Sequence, residues 1–211
     1  MALSKRLTAI ANFLTTQDAF IDIGSDHAYV PILMAKRGSF NILATDIHEN
    51  ALRIAKKNIC NAGYESVIKT ALSDGLEQVL VEDYDTLVIA GMGYFTIKHI
   101  LEDSKKLKNI KKMILQSNNH LKDLRIFMNM LGYALVDEVV VWESGHYYTI
   151  MKYEKGVQIL TEVEYTFGLY RRENKEYYQF VYRELDHLLK KVDSEKAKIL
   201  KKEKELLETY L

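Results

Sequence analysis

One stretch constrains the whole chain: Phe20-Ile21-Asp22-Ile23-Gly24-Ser25-Asp26-His27-Ala28-Tyr29-Val30-Pro31. It opens apolar and β-rich, breaks at Gly24, and passes through small and polar residues to a proline. A buried parallel strand looks like this when it ends in a tight turn and a helix begins. The carboxylates of Asp22 and Asp26, the Ser25 hydroxyl and the His27 imidazole crowd into six residues. A plain connector needs none of this chemistry, so the turn reads as the floor of a cofactor site. The second and third glycines of G-x-G-x-x-G are missing, which excludes a nicotinamide fingerprint.

The rest of the chain supports an open parallel sheet. Apolar residues at helical spacing (Leu3, Leu7, Ile10, Ala11, Leu14) predict a first helix over 3–14. A strand over 19–23 leads into the turn, and Pro31 sits in the first turn of the next helix, where its missing N–H costs nothing. Further strands are expected at 41–45, 66–70, 86–90 and 113–116, with helices at 50–62, 95–103 and 120–131 between them. Two final strands, 133–142 and 146–153, flank Glu143-Ser144-Gly145. Alternating strands and helices force right-handed crossovers and a sheet covered on both faces. The closing hairpin adds antiparallel pairing near one edge. The expected fold is α/β, a Rossmann-like seven-stranded sheet that resembles the class I methyltransferases. Residues 1–155 form this domain. Residues 156–211 have no strand pattern and read as an α-helical, coiled-coil-like appendage, with amphipathic helices from about 174 that break at Asp193-Ser194.

Twenty-nine basic and 29 acidic residues cancel. Any nucleic-acid contact must therefore come from a local patch. No apolar run approaches the roughly 20 residues of a membrane span. Cys60 is the one cysteine, which rules out an intrachain disulfide and fits a reducing cytoplasm. It shows no zinc-ligand spacing with the histidines.

Ligands of open α/β sheets bind beyond the carboxyl ends of the strands. Those ends deliver Asp22 to His27, then Asp46 and Ile47, then Asp74 and Gly75, then Ala90, Gly91, Met92, Gly93 and Tyr94, and last Gln116 to Asn118. Asp and Gly are ordinary turn residues, but every end carries an acidic, glycine or amide residue. No phosphate cradle, Walker lysine or arginine stands near these turns in sequence. A nucleoside without phosphate fits: Asp46 on the ribose diol, Asp74 on an adenine amino group, the Gly24 and Gly91 backbones in close approach, and Asp22 facing an ammonium. S-adenosyl-L-methionine has these groups.

Asp22-Ile23-Gly24-Ser25-Asp26-His27-Ala28-Tyr29-Val30-Pro31, together with Ala90-Gly91-Met92-Gly93 and Leu115-Gln116-Ser117-Asn118, resembles the TrmK family of bacterial tRNA methyltransferases. The resemblance covers nearly the whole chain, appendage included. It implies methyl transfer to N1 of an adenine at tRNA position 22. Tyr94 stands where the family usually has a further glycine, and Ser117 where it has a proline; both flank the substrate side.

Adenine N1 already carries an in-plane lone pair, and its methylation creates a cation. Positioning and a nearby acceptor are what the reaction needs. Asp26 is the candidate acceptor of the N6 amino hydrogen, the alternative being an ordinary helix N-cap. His27 would orient the base or hold the methionine carboxylate, or be a turn histidine satisfied by backbone. Tyr29 and Tyr94 would stack on a flipped adenine or pack in the core, and Asn118 would bond the adenine edge or close a turn. For tRNA, the lysine run 105–112 and the C-terminal helices, with Arg171 and Arg172, are the candidate contacts. Two other functions compete: a methyltransferase for a small molecule or protein, and a noncatalytic RNA-binding scaffold that keeps the fold.

Overall fold

The computed structural model describes residues 4–102 and 105–211. The expected helix start at Leu3 and helix end at Asp103 lie outside the described residues. In chain order the elements are α1 (Lys5–Asn12), β1 (Phe20–Ile23), α2 (Tyr29–Arg37), β2 (Ile42–Asp46), α3 (Glu49–Ala62), β3 (Ile68–Leu72), β4 (Thr86–Met92), α4 (Tyr94–Leu101), β5 (Lys112–Ser117) and α5 (Leu121–Met130). The hairpin β6 (Tyr133–Glu143) and β7 (His146–Lys155) follows, and then α6 (Glu162–Phe167), α7 (Lys175–Leu189) and α8 (Ser194–Leu207).

The strand order is β3-β2-β1-β4-β5-β7-β6. β1 pairs parallel with both β2 and β4, β4 pairs parallel with β5, and β7 lies antiparallel between β5 and β6. The chain runs outward from β1 in one direction and returns to β4 on its other side. The switch point therefore lies between β1 and β4, where a ligand crevice is expected. Strand alternation divides the core into two layers. Ile21, Ile23, Leu87, Ile89 and Leu115 pack under α4 and α5. Phe20, Ile42, Val88 and Ile114 pack under α1, α2 and α3. Asp22 shares the face of Phe20, so it points toward α1 and α2, at the end of a strand that is buried throughout.

Every strand differs from its expected limits by one or two residues at one end or both, β3 (Ile68–Leu72) by two at each. β4 continues past Ala90 to Met92, because the β5 register shifts between Ala90 and Met92 and leaves Gly91 as the extra residue of a bulge, at φ +81°. The closing hairpin also runs longer at both ends. It turns on Ser144 and Gly145 alone, both at positive φ, a backbone that suits the twist of two-residue hairpins.

The appendage contains α6, which no expectation included. Six residues are too few to show a helical period, although the Thr161–Glu164 capping box that starts it is legible as a motif. Asp193 caps α8 by accepting from the Lys196 N–H at 3.2 Å, as expected. α7 and α8 enclose a small core of Phe167, Tyr178, Leu185, Leu207 and Tyr210. A buried ion pair ties the appendage to the sheet domain. Arg125 of α5 donates to Glu138 of β6 at 3.1 Å, with both side chains 1% exposed. The same guanidinium donates to the Tyr165 and Thr166 carbonyls at 3.2 and 3.3 Å. Gly168 lies directly against the Glu138 carboxylate, where a Cβ would collide with it.

Removing one member of such a pair leaves an uncompensated buried charge. Glu138→Ala is expected to lower stability by roughly 3–5 kcal/mol in urea denaturation, while the double replacement Arg125→Met with Glu138→Met loses far less. Equal losses in the two variants would show that packing, not charge, governs this junction.

Candidate active site

The opening turn is held by one acceptor. The N–H groups of Gly24 and Ser25 both donate to the Thr45 carbonyl, at 2.9 and 2.8 Å. This ends the β1 ladder and throws the chain into the left-handed region at Gly24, φ +73°. A Cβ on Gly24 would meet only the terminal methyl of Met92, which can swing aside, so it is the backbone conformation that favours glycine here. Asp26 and Ala28 also take positive φ, at 47° and 57°. α2 then starts on Ala28 with no side-chain cap. Asp26 is thus not the N-cap, and its carboxylate lies 3.4 Å from His27 Nε2. The His27 and Tyr29 rings stack at 5.2 Å, 17° from parallel, instead of the histidine being satisfied by backbone.

Two aspartates stand beneath. Asp22 accepts the Ser25 hydroxyl at 2.6 Å. Burial pushes its carboxyl up to about 6; the Ser25 bond opposes this and the neighbouring Asp46 charge adds to it. Asp46 accepts from the Asp26 N–H at 3.2 Å and the His48 N–H at 2.9 Å, which locks the ends of β1 and β2 together. Both Asp46 oxygens keep a further lone pair for a hydroxyl.

A cavity of about 360 Å³ opens over this floor. Asp22, Gly24, Ser25, Asp26, His27, Tyr29, Ala90 and Gly91 line it, so the structure brings these expected residues together. Asp46, Ile47 and Asp74 lie outside its walls; Ile47 and Asp74 are exposed past the ends of β2 and β3. Gly75 is buried, and a Cβ there would come within 2.9 Å of Ile100. Close packing on α4 is reason enough for that glycine. Tyr94 does not line the cavity. Its ring joins Phe95, His120 and Phe127 at the starts of α4 and α5.

Arg6 of α1 was not expected. The sequence shows no arginine near the strand ends, yet folding carries this one into the crevice. Its Nη1 donates to Gln116 Oε1 at 3.2 Å, its guanidinium lies 5.0 Å from the centre of the Tyr148 ring, and its Nε is buried without a partner. Gln116 also accepts from the Gly91 N–H at 3.1 Å and donates to Asn118 Oδ1 at 3.0 Å. Asn118 Nδ2 closes the ring on the Gly91 carbonyl at 2.9 Å. The Asn118 amide is committed at both ends to shaping the bulge, which makes it a brace for the β4 end more than a reader of the base. Ser117 takes the family's proline position and holds its turn by donating to the Asn119 carbonyl at 2.7 Å.

The lysine run leads into β5, whose first residue is Lys112, and Lys106 lines a separate pocket with Asp74, past the end of β3. Lys112 is paired with Asp18 at 2.6 Å, and Lys106 donates to the Leu76 and Glu77 carbonyls at 2.6 and 2.9 Å. Structure uses those two lysines. Among the described residues no group of His, Cys, Asp and Glu has a metal-binding arrangement, and no helix is long and apolar enough to cross a membrane.

A buried carboxylate, a cation and a glycine turn form one enclosed wall, with an aromatic pair and a second carboxylate at its mouth. Comparison with known proteins identifies the family. The family described as Methyltransferase domain matches residues 3–151. The tRNA (adenine(22)-N(1))-methyltransferase of Bacillus subtilis is 36% identical over 158 residues, which are 74% of this chain and 66% of that protein, just under two thirds of its length. A Streptococcus pneumoniae protein solved in complex with S-adenosyl-L-methionine is 32% identical and superposes with a TM-score of 0.91 over all of both chains. The crystal structure of the B. subtilis m1A22 tRNA methyltransferase TrmK is 30% identical, with a TM-score of 0.86 over 99% of this chain and 98% of that one. The chain belongs to the TrmK family of methyltransferases.

Proposed function

We propose that this protein transfers a methyl group from S-adenosylmethionine to N1 of an adenine in tRNA, the position-22 adenine that its B. subtilis relative is named for. One observation carries the reading: the cavity sets buried Asp22 and the cation Arg6 around a glycine turn in the left-handed conformation. The amino-acid end of that cofactor bears an ammonium and a carboxylate, which match the pair. When bound, S-adenosylmethionine supplies a methyl group made electrophilic by its sulfonium. Asp22 would hold the ammonium and Arg6, whose Nε lacks a partner, the carboxylate. Asp46 would take the ribose hydroxyls, Ile47 would cover the adenine, and Asp74 would accept its amino group. Ser25 keeps Asp22 oriented, Gly24, Ala90, Gly91 and Gly93 keep the strand ends thin enough for close approach, and Met92 packs its side chain against Gly24.

On the acceptor side, Asp26 would accept the N6 hydrogen of the target adenine and stabilise the cation that forms. The His27–Tyr29 stack offers the base a flat wall. Asn118 acts through Gly91, as a positioning residue. For the body of the tRNA, the C-terminal helices are better placed than the lysine run, because α7 reaches the strand-end side of the sheet through Tyr177 while the run precedes β5. The division between catalytic domain and appendage is placed at 155/156, where β7 ends.

Incubation with methyl-labelled cofactor and tRNA, followed by mapping of the modified base, tests the whole reading; label that enters protein or metabolites but not tRNA overturns it. Asp26→Asn keeps a residue that tolerates positive φ. It is expected to lower single-turnover methyl transfer roughly 100-fold, with cofactor affinity within twofold of wild type by calorimetry. Unchanged transfer removes Asp26 from the chemistry.

Asp22 gives a second test through pH. Its folded value near 6 lies above the ordinary 3.8. The stability linked to its protonation is therefore full below about 4 and lost as pH rises through 6. Asp22→Asn is expected to stabilise the free protein by about 2–3 kcal/mol at pH 8 and by little at pH 4, yet to weaken cofactor binding at least tenfold at pH 8. Wild-type affinity should fall as pH drops through 6. An Asp22→Asn protein that binds cofactor normally would contradict the ammonium assignment.

A further inference from the structure

A second cavity, of about 510 Å³, adjoins the first across Arg6, which lines both. The end of β5 (Ser117, Asn118, Asn119), the start of β7 (Tyr147, Tyr148) and Tyr177 of α7 form its walls. It is the place where the appendage contributes a side chain to the strand-end side of the sheet.

Its lining suits a nucleobase more than a phosphate. Among the described lining residues Arg6 is the sole permanent cation, bonded to Gln116 and stacked on Tyr148, and its remaining Nε is the group assigned above to the cofactor carboxylate. Rings are abundant and fixed. Tyr147 is held by Trp142, Tyr177 and Phe180, with ring centres at 4.6, 5.3 and 5.0 Å. The Tyr177 hydroxyl is tied to Thr149. A rigid aromatic surface loses little entropy on stacking, and base–aromatic stacking tolerates any base. Exposed Asn119 at the rim, with the Ser117–Asn119 backbone turn, offers polar groups to a base edge. The volume lies within the range of small-molecule pockets.

The reacting adenine cannot fill both cavities. It must meet the cofactor above Asp22 and Ala90, and Arg6 with the Gln116–Asn118–Gly91 hydrogen-bond ring stands between the two. We propose that the second cavity receives the base of a nucleotide adjacent to the target adenine in the same RNA, unstacked from its neighbours and held against Tyr147 and Tyr177. This rests on the tRNA reading above. The cavity would then act as a specificity site, in which the target base is presented to the cofactor only when its neighbour is captured next door. It also gives the appendage a role in forming the substrate site itself.

The test pairs Tyr147→Leu, which keeps apolar bulk, with tRNA carrying an abasic site immediately 5′ or 3′ of the methylated adenine. With wild-type protein, one of the two abasic substrates is expected to lose about tenfold in kcat/KM. Tyr147→Leu should lose about as much on intact tRNA and nothing more on that abasic substrate. Tyr147→Phe keeps the ring and should restore the wild-type value, and calorimetry with S-adenosylmethionine should give wild-type affinity for both variants. Losses that multiply, or abasic substrates methylated as well as intact tRNA, overturn the neighbour site while leaving the function standing. If wild-type protein methylates no tRNA, both fail together.

Discussion

The Thr45 carbonyl is the constraint on which the site depends. It accepts two consecutive N–H groups, from Gly24 and Ser25, so β1 cannot continue and the chain must reverse within the width of one peptide. That reversal favours a residue that enters the left-handed region without strain, which glycine at φ +73° does. Once the turn is fixed, Asp22 is left below it, in the last buried turn of the strand, and Asp26 above it, facing the crevice mouth. Two identical side chains four residues apart thereby acquire opposite environments. One is buried, with its charge disfavoured; the other lies at the mouth beside His27. Environment separates the roles proposed for them, a fixed cationic group of the ligand for the first and an incoming base for the second.

Gln116 does the corresponding work on the far side of the crevice. It is fully buried, and its amide distributes three hydrogen bonds, to Arg6, Gly91 and Asn118. A buried amide in a low-dielectric setting is costly unless it is satisfied. Here its satisfaction simultaneously positions a cation from α1, a bulge in β4 and the turn after β5. The partition between the two cavities is therefore a hydrogen-bonded ring, not merely a steric accident, and a shift in any member moves the cofactor side and the acceptor side together.

Much of this was legible in sequence where the signals were local. A strand that ends in Gly24 with acidic neighbours, an aspartate at the end of β2 and glycines after β4 announce themselves within a few residues. Their order along the chain determines which crevice they share once the sheet is recognised. The pairing of Arg6 with Gln116, the latter already expected at a strand end, was out of reach for the opposite reason. They are 110 positions apart, Arg6 sits on a helix whose polar residues look like any solvated face, and no motif links them. Asp26 as a helix cap was reasonable from the preference of Asp for that position, but the left-handed residues at 26 and 28 delay α2 to Tyr29 and leave the cap to backbone. For the lysine run, composition shows charge and not position. Lys112 pairs with Asp18 where β5 starts, and Lys106 satisfies the Leu76 and Glu77 carbonyls in the segment after β3.

The appendage shows how a neutral, lysine-and-glutamate-rich tail becomes part of a site. Tyr177 and Tyr178 are adjacent on α7, and a helix turns about 100° between successive residues. Tyr178 therefore faces inward, where its hydroxyl donates to the Leu169 carbonyl at 3.1 Å and its ring meets Tyr210. Tyr177 faces the sheet domain and meets Tyr147. The same pair of residues closes the small helical core and the wall of the second cavity. Neither contact would keep its alignment if the helices could swing. The Arg125–Glu138 pair, buried and bonded to the carbonyls at the end of α6, opposes that swing, because any displacement would uncover or unpair a charge that cannot be left alone in the interior. A costly ion pair placed at this junction makes sense as a device for orientation: it holds the appendage at the one angle that brings Tyr177 to the cavity shared with the methyl-acceptor side.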